Sequence, residues 1–385
     1  MTITVGIRCD AGPRTGVGHL VRCVALAEEL VAHGVAVHFL SDLGGLAWAH
    51  AQLEQRGLPW HPAPYDEVGL VAAAARLGLD ALVTDSYELP PRHAAAVRAT
   101  GRTVLTIVDG ELRGQPADIY VDQNLDAELA VPDLPPGAIR LAGLDYALLR
   151  AAVRERRPAA ARGASAARTP KVVAFFGGTD AYRAAPVIGR LLVATGAAFD
   201  AVVVAADRGL RDELRAVAPG AGQRLRVIGP TDELPALLAD ADLAVSASGT
   251  STWELLCLGL PSALVRVVDN QIIGYERTIA HGLAAGLGHL PALRVPSAEA
   301  DAAAAVLRDL LTDPAARTAL GARAWAAVDG RGAERVARAL LAAIRSGTDA
   351  RRTAVAALER SVVAAQNWDY EGWQAMHAAN KTPSR

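Results

Sequence analysis

Two stretches of this chain carry side chains suited to chemistry: Gly16-Val-Gly18-His19, and the hydroxyl-rich run Ser246-Ala-Ser248-Gly249-Thr250-Ser251-Thr252. An imidazole at a loop-to-helix junction suits a general base. The partial positive charge of a helix N-terminus opposes a second positive charge on the ring. Local packing or capping is the plain alternative for a lone histidine. The hydroxyl run suits a phosphate, above all a diphosphate. Gly249 lets backbone approach a ligand closely, and the helix that follows presents free N–H groups; an ordinary turn is the alternative. Glu254, in the first turn of that helix, suits a ribose diol. Ser251-x-x-Glu254 equally spells a capping box, which needs no ligand.

The elements that must position these residues follow from periodicity. Leu243 to Val245 is a strand feeding the hydroxyl loop. The helix from Thr252 stops at Gly259-Leu-Pro261, and Ser262 to Val267 is a second strand ending in Asp269-Asn270-Gln271. Ile3 to Arg8 alternates as a first strand and leads into Asp10, and a helix with apolar positions at Leu20, Cys23, Val24, Ala27, Leu30 and Val31 follows. Val35 to Leu40, Ala81 to Thr84, Thr103 to Val108 and Ile119 to Val121 continue the pattern. Three of these end in Asp85-Ser-Tyr87, Asp109-Gly-Glu111 and Asp122-Gln-Asn124. Lys171 to Phe176, which ends in Gly177-Gly178-Thr179-Asp180, opens a second series with Ala201 to Ala205 and Leu225 to Ile228. Polar residues recurring at strand ends are what an open, doubly wound parallel sheet delivers to its ligand edge. Asp232 to Asp240, Ala300 to Leu311 and Ala315 to Ile344 read as helices, as does Arg351 to Ala365. An aromatic cluster, Asn367 to Trp373, stands near the end.

Several classes are excluded. Gly16-x-Gly18 lacks the third small residue of a dinucleotide fingerprint, because Val21 stands there. Net charge is −2 with no basic block, which argues against nucleic acid and anionic membranes. No apolar run is long enough to span a membrane, and the start of the chain is a strand rather than a leader. The three cysteines have no metal-ligand spacing and read as buried thiols of a reducing, cytoplasmic compartment. Nothing in the sequence fixes an oligomeric state.

Arg8-x-Asp10, Gly16-Val-Gly18-His19-Leu-Val-Arg22, Thr84-Asp85-Ser-Tyr87, Ile107-Val-Asp109, Ala117-Asp118-Ile, Gly143-Leu-Asp-Tyr146-Ala-Leu-Leu-Arg150, Gly177-Gly178-Thr179-Asp180 and Ser246-Ala-Ser248 through Asn270-Gln271 run in order along the chain. Together they resemble the UDP-sugar hydrolases of pseudaminic acid biosynthesis and the related spore-coat polysaccharide proteins. The resemblance implies an α/β fold of GT-B type, two Rossmann-like domains facing a central cleft. It implies boundaries at 1–155 for a catalytic, sugar-holding domain, 156–170 for a linker, 171–345 for a UDP-binding domain and 346–385 for an extension. It implies inverting hydrolysis of UDP-2,4-diacetamido-2,4,6-trideoxy-β-L-altropyranose or a relative, with no metal and no cofactor. His19, Tyr87 and Asn270 are then the catalytic positions. Asp10, Gly16, Gly18, Arg22, Gly178, Ser248, Gly249, Thr250, Ser251, Glu254 and Gln271 are the expected substrate contacts. The 346–385 extension lies outside the resemblance, and Ser86 and Glu88 depart from its pattern beside Tyr87.

Two other functions compete. A glycosyltransferase on the same scaffold would replace water by an acceptor hydroxyl. A non-catalytic nucleotide-sugar binder would be indifferent to loss of His19.

Overall fold

The computed structural model describes residues 2–12, 16–163 and 168–347. The expected helix Arg351 to Ala365 and the aromatic cluster lie outside the described residues. The chain divides into two compact units, Met1–Leu340, which carries both sheets, and Leu341–Arg385. In the second unit residues 341–347 are helical.

The first sheet contains β1 (Thr4–Cys9), β2 (Ala36–Ser41), β3 (Trp60–Pro62), β4 (Ala81–Asp85), β5 (Thr103–Ile107), β6 (Ile119–Asp122) and β7 (Ile139–Ala142). The second contains β8 (Lys171–Phe175), β9 (Phe199–Val204), β10 (Gln223–Ile228), β11 (Leu243–Ala247), β12 (Ser262–Arg266) and β13 (Ala285–His289). Their orders are β3-β2-β1-β4-β5-β6-β7 and β10-β9-β8-β11-β12-β13, and every strand pair is parallel. This is the GT-B architecture of two Rossmann-like halves.

Central strands read as unbroken apolar runs because helices cover both faces. Every residue of β4, β5 and β6 is buried. Leu70, Ala74, Ala94 and Val97 from two helices pack on Leu82, Val104 and Tyr120 of the first sheet. On one face of the second sheet, Ile188, Leu192 and Leu307 cover Val172, Val203 and Val245. On the other, Ala147, Leu149 and Val153 join Val173, Leu255 and Leu264. The segment after β7 is therefore built into the second core and ties the halves together.

Each sheet reverses its winding once, between β1 and β4 and between β8 and β11. In open parallel sheets the crevice at the carboxyl ends of such strands is the ligand site. Asp10, Gly16-Val17-Gly18-His19 and Asp85-Ser86-Tyr87 leave the first reversal; Gly177-Gly178 and Ser248 to Ser251 leave the second. The run Ala315 to Ile344, expected as one helix, is two: Pro314–Ala327 ends before Asp329-Gly330-Arg331, where Gly330 takes a left-handed φ of 82°, and helix resumes at 332.

Candidate functional site

The loops of the two halves touch. A methyl group on Gly178 would stand 2.9 Å from Val17 Cγ2, and one on Gly18 would stand 3.5 Å from Thr250 Oγ1. The first distance requires glycine at 178 unless Val17 shifts; the second is ordinary van der Waals contact and shows only how near the two loops lie. Gly12 and Gly16 exchange backbone hydrogen bonds of 3.1 and 2.8 Å that close the first loop. His19 follows in the first turn of the helix Gly18–Ala32, next to the Gly18 that approaches Thr250.

Beneath His19 lies a buried charge lattice. Arg22, one turn on along the same helix, is 3% exposed. It grips Asp85 through Nε and Nη2 at 2.6 and 2.7 Å and Asp109 through Nη1 and Nη2 at 2.9 and 3.0 Å. Tyr87 donates its phenol to Asp109 at 2.5 Å. Asn124 donates to Asp109 and Asp122 at 3.1 and 2.8 Å. His19 Nδ1 lies 3.7 Å from Asp85, and the imidazole meets the Tyr87 ring edge-on at 4.7 Å. The Arg113 guanidinium covers the same ring at 4.6 Å.

The electrostatics follow from this geometry. Burial alone would raise the Asp109 carboxyl, but Arg22 outweighs it and, with Tyr87 and Asn124, holds the group well below the ordinary carboxylate range. Burial, then the neighbouring Asp109 charge, pushes the Tyr87 phenol up. Burial opposes the Arg22 charge, but Asp85 and Asp109 more than offset it. Tyr87 is thus fixed as a neutral hydrogen-bond donor beside His19. Arg22, expected among the substrate contacts, has four hydrogen bonds committed to protein carboxylates and acts here as the strut of the lattice.

Across the cleft the hydroxyl loop is partly self-bonded. The Gly249 amide donates to Thr252 Oγ1 at 3.2 Å, and the Ser248, Thr252 and Trp253 amides donate to Val265, Gly249 and Thr250 carbonyls at 2.9, 2.8 and 3.2 Å. Ser248 is buried, and the buried Ser246 hydroxyl has no partner among the described residues. Gln271 Oε1 accepts from the Val267 amide at 2.9 Å, and a methyl group on Gly249 would lie 3.9 Å from its Nε2. Asn270 is exposed in the short 3-10 turn Asp269–Gln271.

No capping box forms at the helix Ser251–Cys257, whose N-terminus has no side-chain cap. Glu254 instead is 3% exposed and clamps Arg150 at 2.7 and 2.8 Å. A ribose diol at Glu254 would have to share this carboxylate with Arg150. Asp10 pairs with Arg8 and accepts the Asp42 amide at 3.0 Å.

The structure thus brings Gly16, Gly18, His19, Arg22 and Tyr87 to one wall, and Ser248, Gly249, Thr250, Ser251 and Gln271 to the other. Gly178 joins them by packing on Val17. The partners absent from the expected site are Asp85, Asp109, Asn124 and Arg150. The signal for the two aspartates was their place at the ends of buried strands.

No family model matches this chain, and neither does any curated protein. Solved structures do. MurG of Acinetobacter baumannii superposes with a TM-score of 0.63 at 16% identity over 88% of this chain and 99% of its own. The UDP-GlcNAc 2-epimerase of Neisseria meningitidis, bound to UDP-GlcNAc, gives 0.58 at 11% identity over 88% and 100%. UGT89C1 of Arabidopsis thaliana, complexed with UDP, gives 0.59 at 12% identity over 88% and 100%. At these identities the likeness is one of fold, and the fold shared across nearly the whole of each chain is GT-B.

Proposed function

We propose that this protein transfers a glycosyl group from a UDP-sugar to an acceptor hydroxyl, with His19 as the general base. The observation that carries the reading is the placement of His19, one turn above the Arg22–Asp85–Asp109 lattice and across a glycine-lined gap from the Ser248–Ser251 loop. In the proposed step the acceptor oxygen bonds to the anomeric carbon as the bond from that carbon to the β-phosphate oxygen breaks. UDP leaves with the electron pair, and His19 takes the hydroxyl proton. Tyr87, its proton committed to Asp109 and its ring edge-on to the imidazole, holds His19 in place, and Asn270 and Gln271 reach the sugar from the second wall. The Thr250 and Ser251 amides and the loop hydroxyls meet the diphosphate charge. The fold neighbours solved with UDP or UDP-GlcNAc support a nucleotide-sugar ligand in this cleft.

Water in place of the acceptor gives the second reading, hydrolysis with inversion, and the ordered motifs from Arg8 to Gln271 favour it. The test is UDP release from a panel of UDP-sugars, with and without sugar acceptors. Release only with an acceptor supports transfer. Release without one establishes hydrolysis. UDP binding with no turnover in either condition, unchanged in His19→Asn, leaves a binder and overturns both.

A further inference from the structure

Arg113 stands where an arginine is costly. The Gln115 amide donates to the Leu112 carbonyl at 3.0 Å and closes a four-residue turn. Its central pair, Arg113 and Gly114, have φ of 50° and 63°. Two positive φ values in succession mark a type I′ turn, where glycine, asparagine and aspartate dominate. A long side chain at the first of them is strained. The turn is anchored by Gln115, whose Nε2 donates to the Leu89 carbonyl at 2.6 Å, so the strain is held rather than relaxed.

What the side chain lacks is equally telling. Among the described residues the Arg113 guanidinium makes no hydrogen bond and no ion pair, and Nη1 is shut away from solvent without a partner. Its contact is with Tyr87, over whose ring its central carbon lies at 4.6 Å. A cation partly withdrawn from water binds an aromatic face more strongly than an exposed one. The ring has need of such a contact. Tyr87 is 54% exposed, so packing alone does not hold it. Its phenol is tied to Asp109 and its other end to the backbone. These two ties fix the long axis of the ring and leave it free to turn about that axis. The edge-on contact with His19, at an interplanar angle of 73°, depends on the plane of the ring. A guanidinium laid on one face fixes that plane.

We propose that Arg113 is a positioning residue: laid on Tyr87, it sets the plane of the ring and, through it, the attitude of His19. The proposal rests on the reading of His19 as the base, and one arm of its test needs no turnover. Two variants of the full chain are compared. Arg113→Asn supplies a residue that the turn prefers and removes the cation; Arg113→Lys keeps a cation for the ring. Arg113→Asn keeps its melting temperature at or above that of the parent. Its His19 imidazole proton line, identified by absence from His19→Asn, loses the shift imposed by the Tyr87 ring. Spectra are taken at about pH 8.5, where an ordinary imidazole is neutral. The kcat for UDP release falls by up to about 100-fold, the cost of a group misplaced by about 1 Å, with KM for the UDP-sugar unchanged. Arg113→Lys restores most of the rate and the parent line. A His19 line unmoved in Arg113→Asn overturns the proposal, and so does equal damage in the two variants. A lowered melting temperature would make Arg113 an ordinary part of the fold and overturn it too. A loss confined to acceptors bearing a carboxylate or phosphate would make Arg113 a ligand contact instead. If the parent releases no UDP under any condition, the reading of His19 as base fails, and the NMR arm still decides whether Arg113 positions it.

Discussion

Arg22 holds Asp85 in a two-pronged grip, Nε to one oxygen at 2.6 Å and Nη2 to the other at 2.7 Å, from a helix position fully enclosed by protein. The same guanidinium holds Asp109. Replacing it by methionine keeps the packing and leaves two carboxylates without their cation. Removing one partner of a buried pair costs about 3–5 kcal/mol, so Arg22→Met should lower unfolding stability by that order. Urea denaturation measures it; a loss below about 1 kcal/mol would mean that the lattice is solvated in solution.

The lattice also sets a pH dependence. Asp109 in the folded protein lies below its unfolded value of about 4, so its stabilisation is complete above that pH and declines as pH falls further toward the folded value. Asp180 behaves oppositely. It caps the helix Ala184–Ala194, accepting the Ala184 and Ala185 amides at 2.8 and 3.0 Å, yet burial pushes its carboxyl up to about 6. The native state then takes up a proton between pH 6 and about 4, and stability gains from this group as pH falls across that window. Asp180→Asn should abolish the gain between pH 6 and 4, and Asp109→Asn should flatten the loss below it. Thermal melts across pH decide both.

His19→Asn should reduce UDP release by about 10²–10⁴-fold, the range for a general base, with UDP affinity retained. Tyr87→Phe should slow release less and remove one late-titrating phenol from the ultraviolet titration of the protein. A parent-like rate in His19→Asn would remove it from the mechanism.

Gly178→Ala places a methyl 2.9 Å from Val17 Cγ2. Overpacking of this kind costs about 1–3 kcal/mol, here by prising the His19 loop from the second half. Turnover should fall, and Val17→Ala in the same chain should restore it. Failure of the second substitution to rescue would place the defect elsewhere.

Glu254→Gln weakens the clamp on Arg150. If the ribose shares this carboxylate, UDP affinity should fall by about 1–3 kcal/mol on calorimetric titration. Unchanged affinity with a lowered melting temperature would assign Glu254 to the Arg150 pair alone.

The sequence announced the central strands because burial on both faces makes them apolar throughout. Of the edges it announced only β10, as Leu225 to Ile228. β3 is three residues long and contains Pro62, and β13 carries Gly286 and Gly288, so neither offers an apolar run. The glycine-histidine and hydroxyl loops were legible as strand-end features, and the structure sets them face to face. Arg22 was expected as a substrate contact on the resemblance alone. Its partners are Asp85 and Asp109, distant in sequence, and local spacing carries no trace of such pairing. Glu254 misled for the converse reason. Its capping-box spacing is local and genuine, but Arg150 outcompetes the backbone amide for the carboxylate.

The contiguity of each sheet has a consequence for biosynthesis. All seven strands of the first sheet lie within Thr4–Ala142, so Arg22, Asp85, Asp109 and Tyr87 are all in hand before the second sheet is translated. Domains generally fold as units, the N-terminal one first. On a nascent chain the His19 wall can therefore be finished early while its opposite wall does not yet exist. Arg150 then waits for Glu254, and its capture marks the moment at which the emerging polypeptide first owns a cleft.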